Sequence, residues 1–169
     1  PVDGASFSLY SGETLVKLQM ISDGVYTPDD NGSATFTTDG GSALIAPLAV
    51  GTYTISEEQA ADGYAPAADV SGTITVDNSS ETPLFITMAD APLALTMQKL
   101  DSVTGQPVGG ATFQLFDNRG NAVSVSPIIG RSGWYRVDEN GSADFAVIDG
   151  SATIICLPQG AYELQEVSA

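Results

Sequence analysis

The chain contains no histidine, one cysteine, and only five lysines and arginines among its 169 residues. Without histidine it lacks the usual general base near neutral pH and the usual nitrogen ligand for zinc. A Cys–His nucleophile is excluded by composition alone. Cys156 has no partner for a disulfide within the chain, so a secreted protein of this kind must gain its stability elsewhere. Five basic residues against 21 acidic ones leave a net charge of −16. That excludes the basic footprint of a nucleic-acid binder and disfavours anionic membrane surfaces. No apolar run approaches the roughly 20 residues of a transmembrane helix. No cofactor motif is present. The acidic stretches Asp29-Asp-Asn-Gly32 and Asp138-Glu-Asn-Gly141 lack the EF-hand spacing and read as hairpin turns, so no metal site is expected.

What is present is a repeat. Pro1-Val-Asp-Gly-Ala-Ser-Phe-Ser-Leu-Tyr10 aligns with Pro107-Val-Gly-Gly-Ala-Thr-Phe-Gln-Leu-Phe116. Tyr26-Thr-Pro-Asp-Asp-Asn-Gly-Ser-Ala-Thr-Phe36 aligns with Tyr135-Arg-Val-Asp-Glu-Asn-Gly-Ser-Ala-Asp-Phe145, and Gly51-Thr-Tyr-Thr-Ile-Ser-Glu57 with Gly160-Ala-Tyr-Glu-Leu-Gln-Glu166. Three blocks in one order identify tandem homologous domains, each of ordinary size at about 100 residues. The second copy carries three extra residues between Asp117 and Trp134. The boundary falls at residues 91 and 92. Domain 1–91 lacks the first strand that domain 92–169 possesses, and domain 92–169 lacks the last strand that domain 1–91 possesses. The favoured explanation is a window cut from a longer array; the alternatives are strands that are present but unrecorded, and, last, strands donated between neighbouring molecules.

The segments between turn signals alternate apolar and polar residues with period two, the mark of half-buried strands. Ala5–Tyr10, Thr14–Ile21, Ser33–Thr38, Ala43–Leu48, Thr52–Glu57, Gly72–Asp77 and Leu84–Ala89 are expected strands in the first copy. The second copy repeats the set. Ala152-Thr-Ile-Ile-Cys-Leu157 reads as a buried strand, with Cys156 as a small core hydrophobe. Asn31-Gly32, Gly40-Gly41 and Asn140-Gly141 are hairpin signals. No amphipathic helix is discernible. The expected fold class is all-β, two tandem sandwiches. The short connection Asp90-Ala-Pro92 predicts a stiff, end-to-end arrangement.

Three features converge on one family. The second copy opens with Lys99-Leu-Asp101, then Thr104-Gly105-Gln-Pro107. The first contains Tyr53-Thr-Ile-Ser-Glu57-Glu-Gln-Ala-Ala-Asp-Gly63-Tyr64 and ends in Phe85-Ile-Thr-Met-Ala-Asp90-Ala-Pro92. The chain resembles the Cna B-type, or SpaA-like, domains of Gram-positive surface proteins and pilins. Their fold is an immunoglobulin-like, prealbumin-like sandwich. In that family a Lys on the first strand joins an Asn or Asp at the end of the last. The product is an intramolecular isopeptide bond, promoted by the Glu of the Tyr-x-Leu-x-Glu-Thr-x-Ala-Pro-x-Gly-Tyr box. Here Glu58 stands in place of Thr and Ala61 in place of Pro.

The resemblance implies Glu57 and Glu166 as promoting carboxylates, Lys99 as nucleophile and Asp90 as acceptor, with Asn78 as fallback. A lysine buried among apolar groups is less readily protonated, and a buried carboxyl holds its proton. Folding supplies a high effective molarity, and the product amide replaces a costly buried ion pair. Lys17 lies mid-strand, away from the nucleophile position, and reads as a surface residue. The implied role is a stalk or pilus-shaft repeat, extracellular and cell-wall-attached, with no cofactor and no enzymatic turnover. Its partners would be neighbouring repeats of the same chain and identical subunits in a fibre. The alternative is an adhesin holding a host protein or glycan through its loops, with Trp134 and Tyr135 as candidate ligand contacts.

Overall fold

A computed structural model describes residues 2–79 and 81–169. The chain divides into two compact units, Pro1–Ala91 and Pro92–Ala169. No helix among the described residues is long and apolar enough to cross a membrane.

In the first unit β1 (Ser6–Ser11) pairs antiparallel with β7 (Gly51–Gln59) along one edge. Its other edge is shared by β2 (Thr14–Val16) and β5 (Phe36–Thr37). The outer edge of β7 takes β9 (Val70–Ile74). The second sheet runs β3 (Leu18–Ser22), β4 (Val25–Pro28), β6 (Leu44–Ile45), with β4 and β6 parallel. Both sheets feed one core. Phe7 and Leu9 come from β1 and Tyr53 from β7. Leu18, Tyr26 and Phe36 meet them, with Ala5 and Ala61 closing the ends. This is the inward half of each period-two pattern. The short strand β8 (Tyr64–Ala65) follows β7, and β10 (Ala91–Pro92) marks the boundary between the units.

The second unit repeats the plan. One sheet is β15 (Asp144–Ala146), β12 (Thr112–Asp117), β17 (Tyr162–Ser168). The other is β11 (Ala94–Gln98), β16 (Ser151–Ile155), β14 (Trp134–Val137), β13 (Val125–Pro127). Phe113, Leu115, Val125, Phe145, Val147 and Ile154 are buried at its centre, with Leu95 and Met97 of β11 packed on them.

Two tyrosines act as matched clamps. Tyr26 donates its hydroxyl proton to the Thr37 carbonyl at 3.0 Å and accepts from the Thr37 N–H at 3.1 Å. Tyr135 does the same with Ala146, at 2.8 and 3.2 Å. Each ties one sheet to the other through a backbone group with no cross-sheet ladder. The Asp-x-Asn-Gly turns are also matched. Asp29 Oδ1 accepts from the Asn31 N–H at 2.8 Å, and Asp138 Oδ1 from the Asn140 N–H at 2.9 Å. The following glycines pass close to backbone: a Cβ on Gly32 would meet the Leu18 carbonyl, and one on Gly141 the Val125 carbonyl. The acidic side chains thus serve turns, and no metal-holding cluster exists among the described residues.

Three expectations need correction. Thr14–Ile21 is not one strand. The chain leaves the first sheet at Val16 and enters the second at Leu18, so Lys17 marks the crossing, where its Nζ donates to the Asp30 carbonyl at 3.3 Å. Residues 84–90 alternate in burial like a strand, yet carry no ladder among the described residues. Leu84 and Ile86 instead lie against Gly72 of β9, where a Cβ would meet them at 2.8 and 3.0 Å. Cys156 is past the end of β16, half-buried, with φ of 60°. It ends the strand rather than filling the core.

Candidate functional site: a carboxylate beside a core phenylalanine

The two sequence-identified glutamates occupy the same place in each unit. Glu57 on β7 lies directly across from Phe7 on β1, and Glu166 on β17 directly across from Phe113 on β12. Residues opposite one another in a ladder share a face. Phe7 and Phe113 point inward, so the carboxylates do too. In both units the register slips immediately beyond the pair: Ser6 opposes Gln59, and Thr112 opposes Ser168. The skipped residues, Glu58 and Val167, form β-bulges. A bulge sharpens twist and re-aims neighbouring side chains, and it is a frequent device beside functional sites.

In the second unit Lys99 reaches this carboxylate. Its Nζ donates to Glu166 Oε1 at 2.7 Å and Oε2 at 2.8 Å. The same ammonium sits 5.5 Å from the Phe113 ring centroid. The backbone fixes the approach: β11 pairs with β16, and the Lys99 N–H donates to the Gly150 carbonyl at 2.9 Å. A Cβ at Gly150 would strike Pro107, so glycine there lets the lysine strand lie close. The Lys99 and Glu166 side chains are 24% and 38% exposed, so the lysine is half-buried while the carboxylate is exposed.

In the first unit the carboxylate is held but incompletely satisfied. Glu57 Oε2 accepts from the Ala67 N–H at 2.6 Å. That N–H comes from the segment after β7, which folds back through Gly63, with φ of 82°, and buries Ala61. Glu57 Oε1 is buried with no hydrogen-bond partner among the described residues. A buried carboxylate oxygen without a partner is costly.

Asp90 is half-buried, and its side chain makes no hydrogen bond or ion pair among the described residues. Asn78 is committed to a local turn, accepting from the Thr75 N–H at 2.8 Å. Trp134 and Tyr135 are not in a loop. They lie on β14, and the Tyr135 ring packs 5.7 Å from Phe145 while its hydroxyl clamps Ala146. Trp134 is covered by the Arg131 guanidinium, 3.5 Å from its centroid. The sequence reading overlooked the phenylalanine beneath each carboxylate and the Ala67 amide. The recurrence of Phe7 and Phe113 was the available signal for the first.

The sequence matches the family model of a SpaA prealbumin-like fold domain twice, over residues 1–90 and 94–169. The chain belongs to this family. Among solved structures it is similar to the shaft pilin SpaA of Lactobacillus rhamnosus GG, at 16% identity over 100% of this chain and 78% of that one, with a TM-score of 0.41. It is also similar to a streptococcal ancillary pilin, at 22% identity over 99% of this chain and 49% of that one, with a TM-score of 0.44. A third is the minor pilin GBS52 of Streptococcus agalactiae, at 17% identity over 100% and 72%, with a TM-score of 0.36. No curated protein matches.

Proposed function

We propose that the chain is a pair of structural repeats from the stalk or pilus shaft of a bacterial surface assembly, stiffened by self-formed isopeptide bonds. The observation that carries this reading is the bidentate Lys99–Glu166 contact beside Phe113, together with Glu57 in the same frame beside Phe7. In the proposed chemistry Lys99 loses a proton and its Nζ attacks the side-chain carbonyl of an Asn or Asp on a neighbouring strand. Glu166 takes the ammonium proton and hydrogen-bonds the acceptor carbonyl, concentrating charge stabilisation where the oxyanion develops. An amide forms and ammonia or water leaves. In the first unit Glu57 has the promoter's role and Asp90 the acceptor's. Such a cross-link closes a long loop and constrains the unfolded chain by about 4 kcal/mol in the loop-entropy model. The chain is then structural rather than enzymatic, because each site reacts once. Its setting is the extracellular surface, and its partners are neighbouring repeats and like subunits.

The test is an intact mass, under denaturing conditions, of a polypeptide extended at both ends. Loss of one water from the Asp90 unit, abolished by Glu57→Ala, is the expected result. An unmodified mass would refute the cross-link.

A further inference from the structure

Asn31-Gly32 and Asn140-Gly141 occupy the same place in the two units, and both asparagines are exposed. An asparagine followed by glycine is prone to cyclise, because glycine has no Cβ to crowd its own amide nitrogen. That nitrogen attacks the asparagine Cγ, a C–N bond forms, and the side-chain nitrogen leaves as ammonia. Water then opens the cyclic imide at either carbonyl, giving aspartate or isoaspartate. Both products carry a new carboxylate. In isoaspartate the backbone also runs through the former side chain and is longer by a carbon atom.

The fold withholds the attacking nitrogen in both units. The Gly32 N–H donates to the Asp29 carbonyl at 2.8 Å, and the Gly141 N–H to the Asp138 carbonyl at 2.9 Å. The Asp29 and Asp138 carboxylates accept from the asparagines' own N–H groups at 2.8 and 2.9 Å. The peptide groups on either side of each asparagine are thus pinned to a single aspartate. Past the glycine, Ser33 and Leu18 exchange two backbone hydrogen bonds of 2.8 Å, and Ser142 and Val125 exchange bonds of 2.9 and 2.8 Å. Leu18 and Val125 are each 2% exposed, so both turns are fastened to a core residue. The glycine has no space toward that strand: a Cβ on Gly32 would meet the Leu18 carbonyl at 2.5 Å, and Gly141 makes the same approach to Val125. Bringing the glycine nitrogen onto Cγ requires the Asn–Gly peptide to rotate. Rotation breaks the bond to the aspartate carbonyl and pulls the glycine off the opposing strand.

We propose that Asn31 and Asn140 are latent succinimide sites, closed while their turns are hydrogen-bonded and reactive only when a turn opens. Each opening that leads to reaction is then recorded irreversibly. An isoaspartyl linkage inserts a backbone atom where the glycine has no room, so the exchange with Leu18 or Val125 cannot re-form. Neither site takes part in the cross-linking proposed above.

The test is prolonged incubation of the full chain in mildly alkaline buffer, with and without urea. Peptide mapping then separates asparagine, aspartate and isoaspartate at each position. The open turn is a minor population of the folded chain, so conversion at both sites should be slower by about tenfold or more in buffer than in urea. Asp29→Ala keeps the Asn-Gly pair but removes the carboxylate from the Asn31 N–H. Asn31 should then convert about three- to tenfold faster in buffer, while Asn140 is unchanged. Asp138→Ala should do the reverse, with Trp134 fluorescence verifying that the second unit stays folded. Conversion of the parent chain in buffer at the rate found in urea overturns the proposal. So does a pair of aspartate variants that leaves both rates unchanged.

Discussion

The Lys99–Glu166 pair lends itself to a double-mutant cycle with Lys99→Met and Glu166→Gln. At 2.7 Å the unscreened attraction is about 1.5 kcal/mol in bulk water and about 6 kcal/mol at an effective dielectric near 20. Solvent screening at the exposed carboxylate and desolvation of the half-buried ammonium offset much of the larger figure. Exposed pairs contribute about 0.2–1 kcal/mol. A bidentate pair at 24% and 38% exposure should lie just above that range, with a coupling of about 1–2 kcal/mol. Lys99→Met also loses the ammonium's contact with the Phe113 ring, but that loss appears in both arms of the cycle and cancels. The assay is built into the chain. Trp134 is its sole tryptophan and lies in the second unit, so its fluorescence during urea unfolding reports that unit. With an m-value near 1 kcal/mol/M for so small a unit, the coupling corresponds to a midpoint shift of about 1–2 M. A coupling below about 0.3 kcal/mol would show the pair to be an ordinary solvated contact and would remove the electrostatic basis of the site.

Tyr135→Phe keeps the ring against Phe145 but orphans the Ala146 N–H and carbonyl; a loss of about 1–3 kcal/mol by Trp134-monitored unfolding is expected, and Tyr26→Phe should cost the first unit a similar amount by circular dichroism. Gly141→Ala forces a methyl against the Val125 carbonyl and should lower stability by about 2–4 kcal/mol, whereas Gly160→Ala, which meets only the Tyr162 ring at 3.9 Å, should be far milder in the same unfolding assay. The Ser126 hydroxyl and the Asn140 N–H hold the Asp138 carboxyl below its ordinary range, as the Thr104 amide and hydroxyl do for Asp101. Their stabilisation is therefore present above the unfolded value of about 3.9 and is lost as pH falls through the lower folded values. Acid titration of Asp138→Asn should show a shallower loss of stability below pH of about 4 than the parent.

Much of the architecture is legible in the sequence because period-two burial is a local property. Thr52, Thr54 and Ser56 face outward, and Tyr53 and Glu57 inward, as the alternation of β7 requires. The duplication adds a second reading of every strand, which is how Glu57 and Glu166 emerge as equivalents. What escapes is set by tertiary relations. Nothing in Thr14–Ile21 marks Lys17 as the point where the chain changes sheets, since both halves keep the same alternation. Leu84–Ala89 has the pattern of a strand, but a pattern cannot supply a neighbour to pair with. The bulges at Glu58 and Val167 depend on how two distant segments register, and so does the clamp made by each tyrosine. Trp134 and Tyr135 stand beside the three-residue insertion in the sequence, yet the loop absorbs it and both residues remain in the strand.

The most direct test of the account is the denatured intact mass of the full-length polypeptide that carries these residues. Loss of one water from the unit containing Asp90, abolished by Glu57→Ala, with a further loss of water or ammonia from the second unit abolished by Lys99→Met, is the predicted result. A mass equal to that of the unmodified sequence would leave two β-sandwiches held by packing alone and would contradict the central claim.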